Sequence, residues 1–234
     1  MLFRSDAALA AIADRIDAEA DAILAANAED MAEGRASGLT SASLDRLELN
    51  DKRIEGMAEA VEIVRDLADP VGKVTESWTR PNGMTIERVR VPIGVIGIAA
   101  PERHPLLGFV SLAAPAIATG NTVVAVPSET HPLAVTDLYQ VLETSDLPGG
   151  VVNIVTGHRD ELAKVLAEHD DVEGIWYWGS REGVKAVELA SAHNMKRTWC
   201  HARAVDWASA EHGEGREFLR EASQVKNIWI PYGE

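Results

Sequence analysis

The sequence predicts an α/β fold organised as a doubly wound parallel sheet, and three observations predict it. Apolar runs of strand length recur from residue 93 onward, IGVIGIAA, NTVVAV, GVVNIV and VEGIWYW. Helix-length segments separate them, Leu106–Thr119, Leu133–Thr144 and Glu161–Glu168. Each run is nearly continuous in apolar residues rather than alternating, so its strand must be covered on both faces, which right-handed crossover helices do in a parallel sheet.

The remaining elements follow in chain order. In residues 1–70, Leu9, Ile12, Ile16, Ala20, Ile23 and Leu24 recur at steps of three and four and predict an amphipathic helix over 6–27. Asn50 is placed to cap a second helix with an inner stripe of Ile54, Met57, Val61, Val64 and Leu67, ended by Asp69-Pro70. Residues 71–91 read as a strand pair, because Pro81-Asn82-Gly83 is a turn signal flanked by Met84, Ile86, Val89 and Val91. The strand–helix alternation occupies 92–200. Two helical stretches follow its fourth run, around Val184–Ala192 and, in the tail 201–234, around Glu214–Ala222; the tail ends on a strand in QVKNIWIPYGE. On that strand Val225, Asn227, Trp229 and Pro231 fall on one side, and Lys226, Ile228, Ile230 and Tyr232 on the other. Both sides are apolar, so the strand must pair, and residues 224–232 are expected to extend the 71–91 pair from within the chain or from a neighbouring subunit.

Composition narrows the function. With 234 residues, 46% of them hydrophobic, the chain can bury a core. A formal charge of −15 opposes nucleic acid and anionic membranes as partners. The excess lies in the flanks, and residues 71–130 are close to neutral. Cys200 is the one cysteine, which excludes an internal disulfide, and no Cys, His or carboxylate cluster has metal-ligand spacing. No apolar run approaches the ~18 residues of a membrane span, and the first residues lack a signal-peptide core. A soluble cytoplasmic protein is expected.

Open parallel sheets bind ligands beyond the carboxyl ends of their strands, so the candidate residues lie just after each run. These are Ala100-Pro101-Glu102-Arg103, Pro127-Ser128-Glu129, Thr156-Gly157-His158 and Gly179 to Gly183. Gly179 and Gly183, opening a helix, either let backbone N–H groups approach a phosphate or serve turn geometry alone. Glu129 either accepts ribose hydroxyls or is an acid at a helix N-terminus beside the cap Ser128. Cys200 lies in KRTWCHARAV; in an extended stretch His201 points to the opposite face, so a structural thiol is the reading preferred over a nucleophile. His104, His131, His158, His169, His193 and His212 stand at element ends and read as solvated. Trp176, Trp178, Trp199 and Trp229 read as core or interface residues.

The phrases VPIGVIGIAAPERHPL, ATGNTVVAVPSETHPL, GVVNIVTG and WYWGSREG, in this order across residues 91–183, resemble the cofactor-domain motifs of the aldehyde dehydrogenase superfamily. The resemblance implies a Rossmann-like domain for NAD or NADP, with contacts at Ala100, Pro101, Ser128, Glu129, Gly179 and Ser180. It also implies that the strand pair and the terminal strand form an oligomerisation region. Upstream, the stretch from DAILAANAEDMAEGRASGL to TIERVRVPIGVIGI is similar to the N-terminal part of gamma-glutamyl phosphate reductases, proline-biosynthesis members of the superfamily. Downstream, VSLAAPAIATGNTVVAVPSE, NMKRTW and GEGREFLREASQVKNIWIPYGE look more like the noncatalytic C-terminal half of family 16 aldehyde dehydrogenases.

Departures from the pattern shape the expected function. Arg103 stands where catalytic members have an oxyanion-hole Asn, Val126 replaces a ribose-binding Lys, and Gly183 comes one residue early. No segment resembles the motifs of the general-base Glu or the nucleophilic Cys, so the catalytic domain is expected to be missing. The family chemistry is NAD(P)-dependent oxidation of an aldehyde or reduction of an activated acyl group, through thiolate attack and hydride exchange. The reading from resemblance is a truncated oxidoreductase with little or no activity and a weak or vestigial NAD or NADP site. Its rivals are a noncatalytic partner, assembling as a homo-oligomer or with a full-length aldehyde dehydrogenase through residues 224–232, and a gamma-glutamyl phosphate reductase.

Overall fold

In the computed structural model, which describes residues 5–209 and 216–230, the N-terminal helices follow their apolar spacing. The helix expected over 6–27 is two, α1 (Ser5–Ala18) and α2 (Ala20–Ala36), broken at Glu19. The break lets α1 lie on the following helices while α2 turns toward a later one, a demand that periodicity within one helix does not register. Two further helices are α3 (Ser41–Leu47), which the sequence did not announce, and α4 (Asp51–Asp66). Asn50 caps α4 as expected, its side-chain oxygen accepting from the N–H of Arg53 at 3.0 Å.

Next come β1 (Val74–Thr79) and β2 (Thr85–Pro92), the antiparallel strand pair. The parallel sheet comprises β3 (Val95–Ala99), β4 (Thr122–Val126), β5 (Val152–Ile154), β6 (Gly174–Trp178) and β7 (Arg197–His201), in the order β5-β4-β3-β6-β7. Connecting helices are α5 (Pro105–Ala118), α6 (Leu133–Glu143), α7 (Arg159–Glu168) and α8 (Arg181–Ala190). The fifth strand, β7, was not among the four apolar runs. It is an edge strand, half exposed, so its sequence RTWCH needs no continuous apolar run.

The two sheet faces are covered unequally. Ile96, Ile98, Val123, Ala125, Trp176 and Trp178 face α5 and α6, which α1 and α4 cover in turn, forming the large core. Ala99, Ile175 and Tyr177 face α7 and α8 in a smaller one. From β3 the chain winds outward through β4 and β5, then returns to β6 on the other side, so the crossover reversal lies between the carboxyl ends of β3 and β6.

After β7 the chain reaches α9 (Arg216–Glu221) and β8 (Ser223–Ile230). β8 pairs antiparallel with β2 inside the chain, Thr85 opposite Ile230 and Pro92 opposite Ser223. The terminal strand thus joins the strand pair from within the chain, and the pairing leaves Val225, Ile228, Trp229 and Ile230 exposed, Trp229 by 59%. Pairing through one edge satisfies backbone groups without burying side chains. Pro231 and Tyr232, with Glu214 and His212, lie outside the described residues.

A buried amide ties these parts together. Asn121 donates to the carbonyls of Ala222 at 2.8 Å and Ala116 at 3.2 Å and to Thr119 Oγ1 at 2.8 Å, and accepts from the N–H of Gly94 at 2.9 Å. It thereby joins the end of α5, the entry to β3 and the end of α9. Replacing it strands buried backbone groups, each costing about 1–3 kcal/mol. Asn121→Ala is expected to lower unfolding free energy by about 2–4 kcal/mol in urea titration; a loss below about 0.5 kcal/mol would show the link to be dispensable.

Candidate functional site

At the carboxyl ends of the parallel strands lies a cavity of about 640 Å³. Its walls include Pro101, Glu102 and Arg103 after β3, Glu129 after β4, His158 to Glu161 at the start of α7, and Tyr177 to Ser180 around the end of β6. The segment Ala202–Val205 with Trp207 closes one side. That wall is anchored by an aromatic cluster: Trp199 meets Trp176, Trp178 and Phe218 edge-on at 5.0, 4.8 and 5.3 Å, and Trp207 meets Trp178 at 5.5 Å.

Arg159, the first residue of α7, dominates the floor and is only 5% exposed. Its Nε donates to the carbonyl of Ala100 at 2.8 Å, and its Nη2 donates to the carbonyls of Ala99 at 3.3 Å and Trp178. Its Nη1 donates to Asp160 at 3.1 Å, and Glu102 stands 3.7 Å from Nε. The guanidinium also lies 4.7 Å from the centre of the Tyr177 ring, and the Tyr177 hydroxyl donates to Asp160 at 2.9 Å. Burial, then the bond to Asp160, raises the Tyr177 pKa above the ordinary phenol value, so the hydroxyl keeps its proton.

Of the residues singled out by the sequence, Pro101, Glu129, Gly179 and Ser180 line the cavity, and Ala100 and Ser128 do not. Ala100 is fully buried and presents only its carbonyl, to Arg159. The Ser128 hydroxyl donates to Glu102 and accepts from the N–H of His131, which fixes the loop rather than facing the cavity. Glu129 accepts from His158 Nδ1 at 3.0 Å and from the N–H of Arg159 at 2.9 Å, so both its oxygens are engaged by the chain itself. A Cβ on Gly179 or Gly183 would fall 2.3 or 1.9 Å from the Tyr177 hydroxyl oxygen, so the glycines make room for that ring. Ser180 accepts from the N–H of Gly183 at 2.9 Å and caps α8.

Cys200 sits on β7 with Tyr177 and the small core, and burial pushes its thiol up to about 12, with Glu188 adding to the rise. His201 lies on the opposite face against Trp178 and Trp199. Two histidines expected at solvated positions are buried. His104 has φ 52° at the entry to α5, with burial holding its pKa below the ordinary value, and His131 is 6% exposed. Among the described residues, no group of three or more His, Cys, Asp or Glu is placed to hold a metal ion, and no helix is long and apolar enough to cross a membrane.

Sequence reasoning missed Arg159 and Tyr177. A signal for the first was present: a cation in the first turn of a helix opposes the helix dipole, so Arg159 at the start of α7 needs a compensating reason. Tyr177 was legible only as one more apolar strand residue.

The bond and charge of Glu129 raise the His158 pKa, while His158, then the Arg159 N–H, lowers that of Glu129. The pair is therefore fully charged between the lowered carboxyl value and the raised imidazole value. Its contribution fades as pH rises through the latter or falls through the former. In an NMR titration, His158 is expected to titrate above the ordinary imidazole value and to return to it in Glu129→Gln; an unchanged midpoint would break the proposed coupling.

The aldehyde dehydrogenase family profile matches residues 7–202. Gamma-glutamyl phosphate reductase of Afipia carboxidovorans is 57% identical over 116 residues, 50% of this chain and 27% of its own length. The enzyme of that name from Rhodopseudomonas palustris strain BisA53 is 46% identical over 210 residues, 88% of this chain and 48% of its own length. Among solved structures, gamma-glutamyl phosphate reductase from Thermotoga maritima superposes with TM-score 0.73 at 30% identity over 83% of this chain and 47% of that one. Betaine aldehyde dehydrogenase from Staphylococcus aureus in complex with NAD+ superposes with TM-score 0.69 at 25% identity over 84% of this chain and 36% of that one. The chain thus spans about half or less of the length of each of these relatives, and it shares their α/β architecture of a parallel five-stranded sheet beside an antiparallel one. On the extent of the profile match and these superpositions, the chain belongs to the aldehyde dehydrogenase family.

Proposed function

We propose that this chain is a family member with little or no oxidoreductase turnover of its own, working as a noncatalytic module that assembles with itself or with a full-length aldehyde dehydrogenase. One observation carries the reading: the sole thiol, Cys200, is partly buried against the small core on an edge strand, with its pKa pushed up to about 12. The family chemistry needs a thiolate near neutral pH, and a thiol so raised is protonated there. Its sequence neighbour His201 is on the other face of the strand.

The fit of a nicotinamide dinucleotide supports the same reading. A ribose needs a free carboxylate at the tip of β4, and Glu129 is bonded to His158 and Arg159. Val126, where the sequence pattern places a Lys, is 1% exposed and apolar. A pyrophosphate needs N–H groups at the Gly179–Gly183 turn, where the Tyr177 ring fills the space above the glycines and Ser180 takes the Gly183 N–H. The residues present do not fit the cofactor, and NAD or NADP binding is weak or vestigial. A gamma-glutamyl phosphate reductase activity is the second reading, favoured by the names of the curated relatives; it requires the same thiolate.

Purified protein is expected to show no turnover with aldehydes and NAD+ or NADP+, nor with gamma-glutamyl phosphate and NADPH. Robust turnover abolished in Cys200→Ser would overturn this and make Cys200 the nucleophile. For assembly, residues 224–232 and the exposed side chains of β8 are the proposed contact. Deleting residues 223–234 should lower the mass seen by light scattering, or the solubility, while the parallel sheet stays folded. Equal mass, solubility and melting temperature for both chains would remove β8 from any interface.

A further inference from the structure

The crossover reversal between β3 and β6 is where an open parallel sheet ordinarily receives a ligand, because the strand-end carbonyls and loop ends there lack partners from the sheet. In this chain one side chain lies across the base of that position, on the floor of the cavity. The guanidinium of Arg159 reaches from α7 across the crevice and bonds the carbonyls of Ala99 and Ala100 at the end of β3 and of Trp178 at the end of β6. Asp160 takes a fourth donor and holds the Tyr177 hydroxyl at the same time, which locks the ring beneath the guanidinium.

The donor count separates this arrangement from a ligand-binding arginine. A guanidinium has five N–H groups, and an arginine that grips a phosphate presents a pair of them to solvent. Here four are directed at oxygens of the chain itself, and the residue is 5% exposed. A charge buried to that extent persists only when paired, and Asp160 and Glu102 at 3.1 and 3.7 Å do the pairing. The other charged groups that line the cavity are of both signs, Glu102, Glu129, Asp160 and Glu161 with Arg103 and Arg203, and Glu102, Glu129 and Asp160 are already bonded within the chain.

We infer that Arg159 is an intramolecular plug, occupying the ligand position of the sheet and excluding a dinucleotide from it. The inference deepens the vestigial-cofactor reading and rests on it: the weakness of the site comes from occupation by this side chain, beyond the absence of a Lys at Val126. Removing the side chain uncovers the carbonyls of Ala99, Ala100 and Trp178; Arg159 and Trp178 themselves line the cavity, so solvent can enter the space the side chain leaves.

The test titrates NADH and NAD+ into the full chain and into Arg159→Gly and Arg159→Met, following NADH fluorescence and heat, with tryptophan fluorescence and circular dichroism to check folding. The full chain is expected to show no saturation up to about 1 mM, and Arg159→Gly to bind NADH at least about ten-fold tighter, with Arg159→Met gaining less. A folded Arg159→Gly that gains nothing, while the full chain also stays silent, overturns the plug and leaves the vestigial reading standing. Micromolar binding by the full chain overturns both. Should neither variant fold, the Arg159 Nε–H resonance of the full chain decides. A slowly exchanging signal with no NADH binding supports the plug. Fast exchange, or NADH binding that leaves the resonance unmoved, overturns it.

Discussion

Helix α5 imposes the constraint on which the rest of the molecule depends. Every residue from Pro105 to Ile117 is buried, so this helix has no face to give to water and must be enclosed. The parallel sheet covers one side, and α1, α4, α6 and α9 supply the rest. The N-terminal helices are therefore an outer layer of the main core, and Phe218 and Leu219 of α9 belong to that core as well. Because the last turn of α5 is bonded through Asn121 to the end of α9, closing the core also fixes where β8 begins.

That enclosure sets the geometry of the strand tips. Trp207 and Phe218 pack against Trp178 and Trp199, and the segment 202–207 is drawn over the ends of β6 and β7, where it becomes a cavity wall. Within the cavity, charges are satisfied mostly by one another: Arg159 by Asp160 and Glu102, and Glu129 by His158. In a chain of net charge −15, Glu102 and Asp160 at the tips pair a buried cation and Glu129 pairs His158. Residues that line the cavity thus serve as a bonding network within the fold.

The two sheets show opposite solutions to strand pairing. The parallel sheet is buried by helices on both faces, and the smaller antiparallel sheet satisfies its ladder while leaving much of β1 and β8 exposed. Backbone pairing and side-chain burial are separate requirements, and β8 meets only the first within this chain. Among the described residues of the tail, Trp229, Ile228 and Ile230 of this sheet are exposed large hydrophobics.

The sequence by itself determined the parallel sheet, its crossover helices, the strand pair and the terminal strand, because each is specified by a local period or a turn signal such as Pro81-Asn82-Gly83. It also directed attention to the strand tips, since a βα fold places loop residues after each strand, and several of those residues line the cavity. Only the tertiary structure decided the use of those tips. The break at Glu19, the edge strand β7 and the burial of His104 arise from packing between elements far apart in sequence. The bonding of Arg159 depends on carbonyls contributed by β3 and β6, some 60 and 19 residues away, and Glu129 is bonded by His158, 29 residues on. A local pattern cannot encode such partners, because hydrogen bonds of this kind are set by where the strands stop in space.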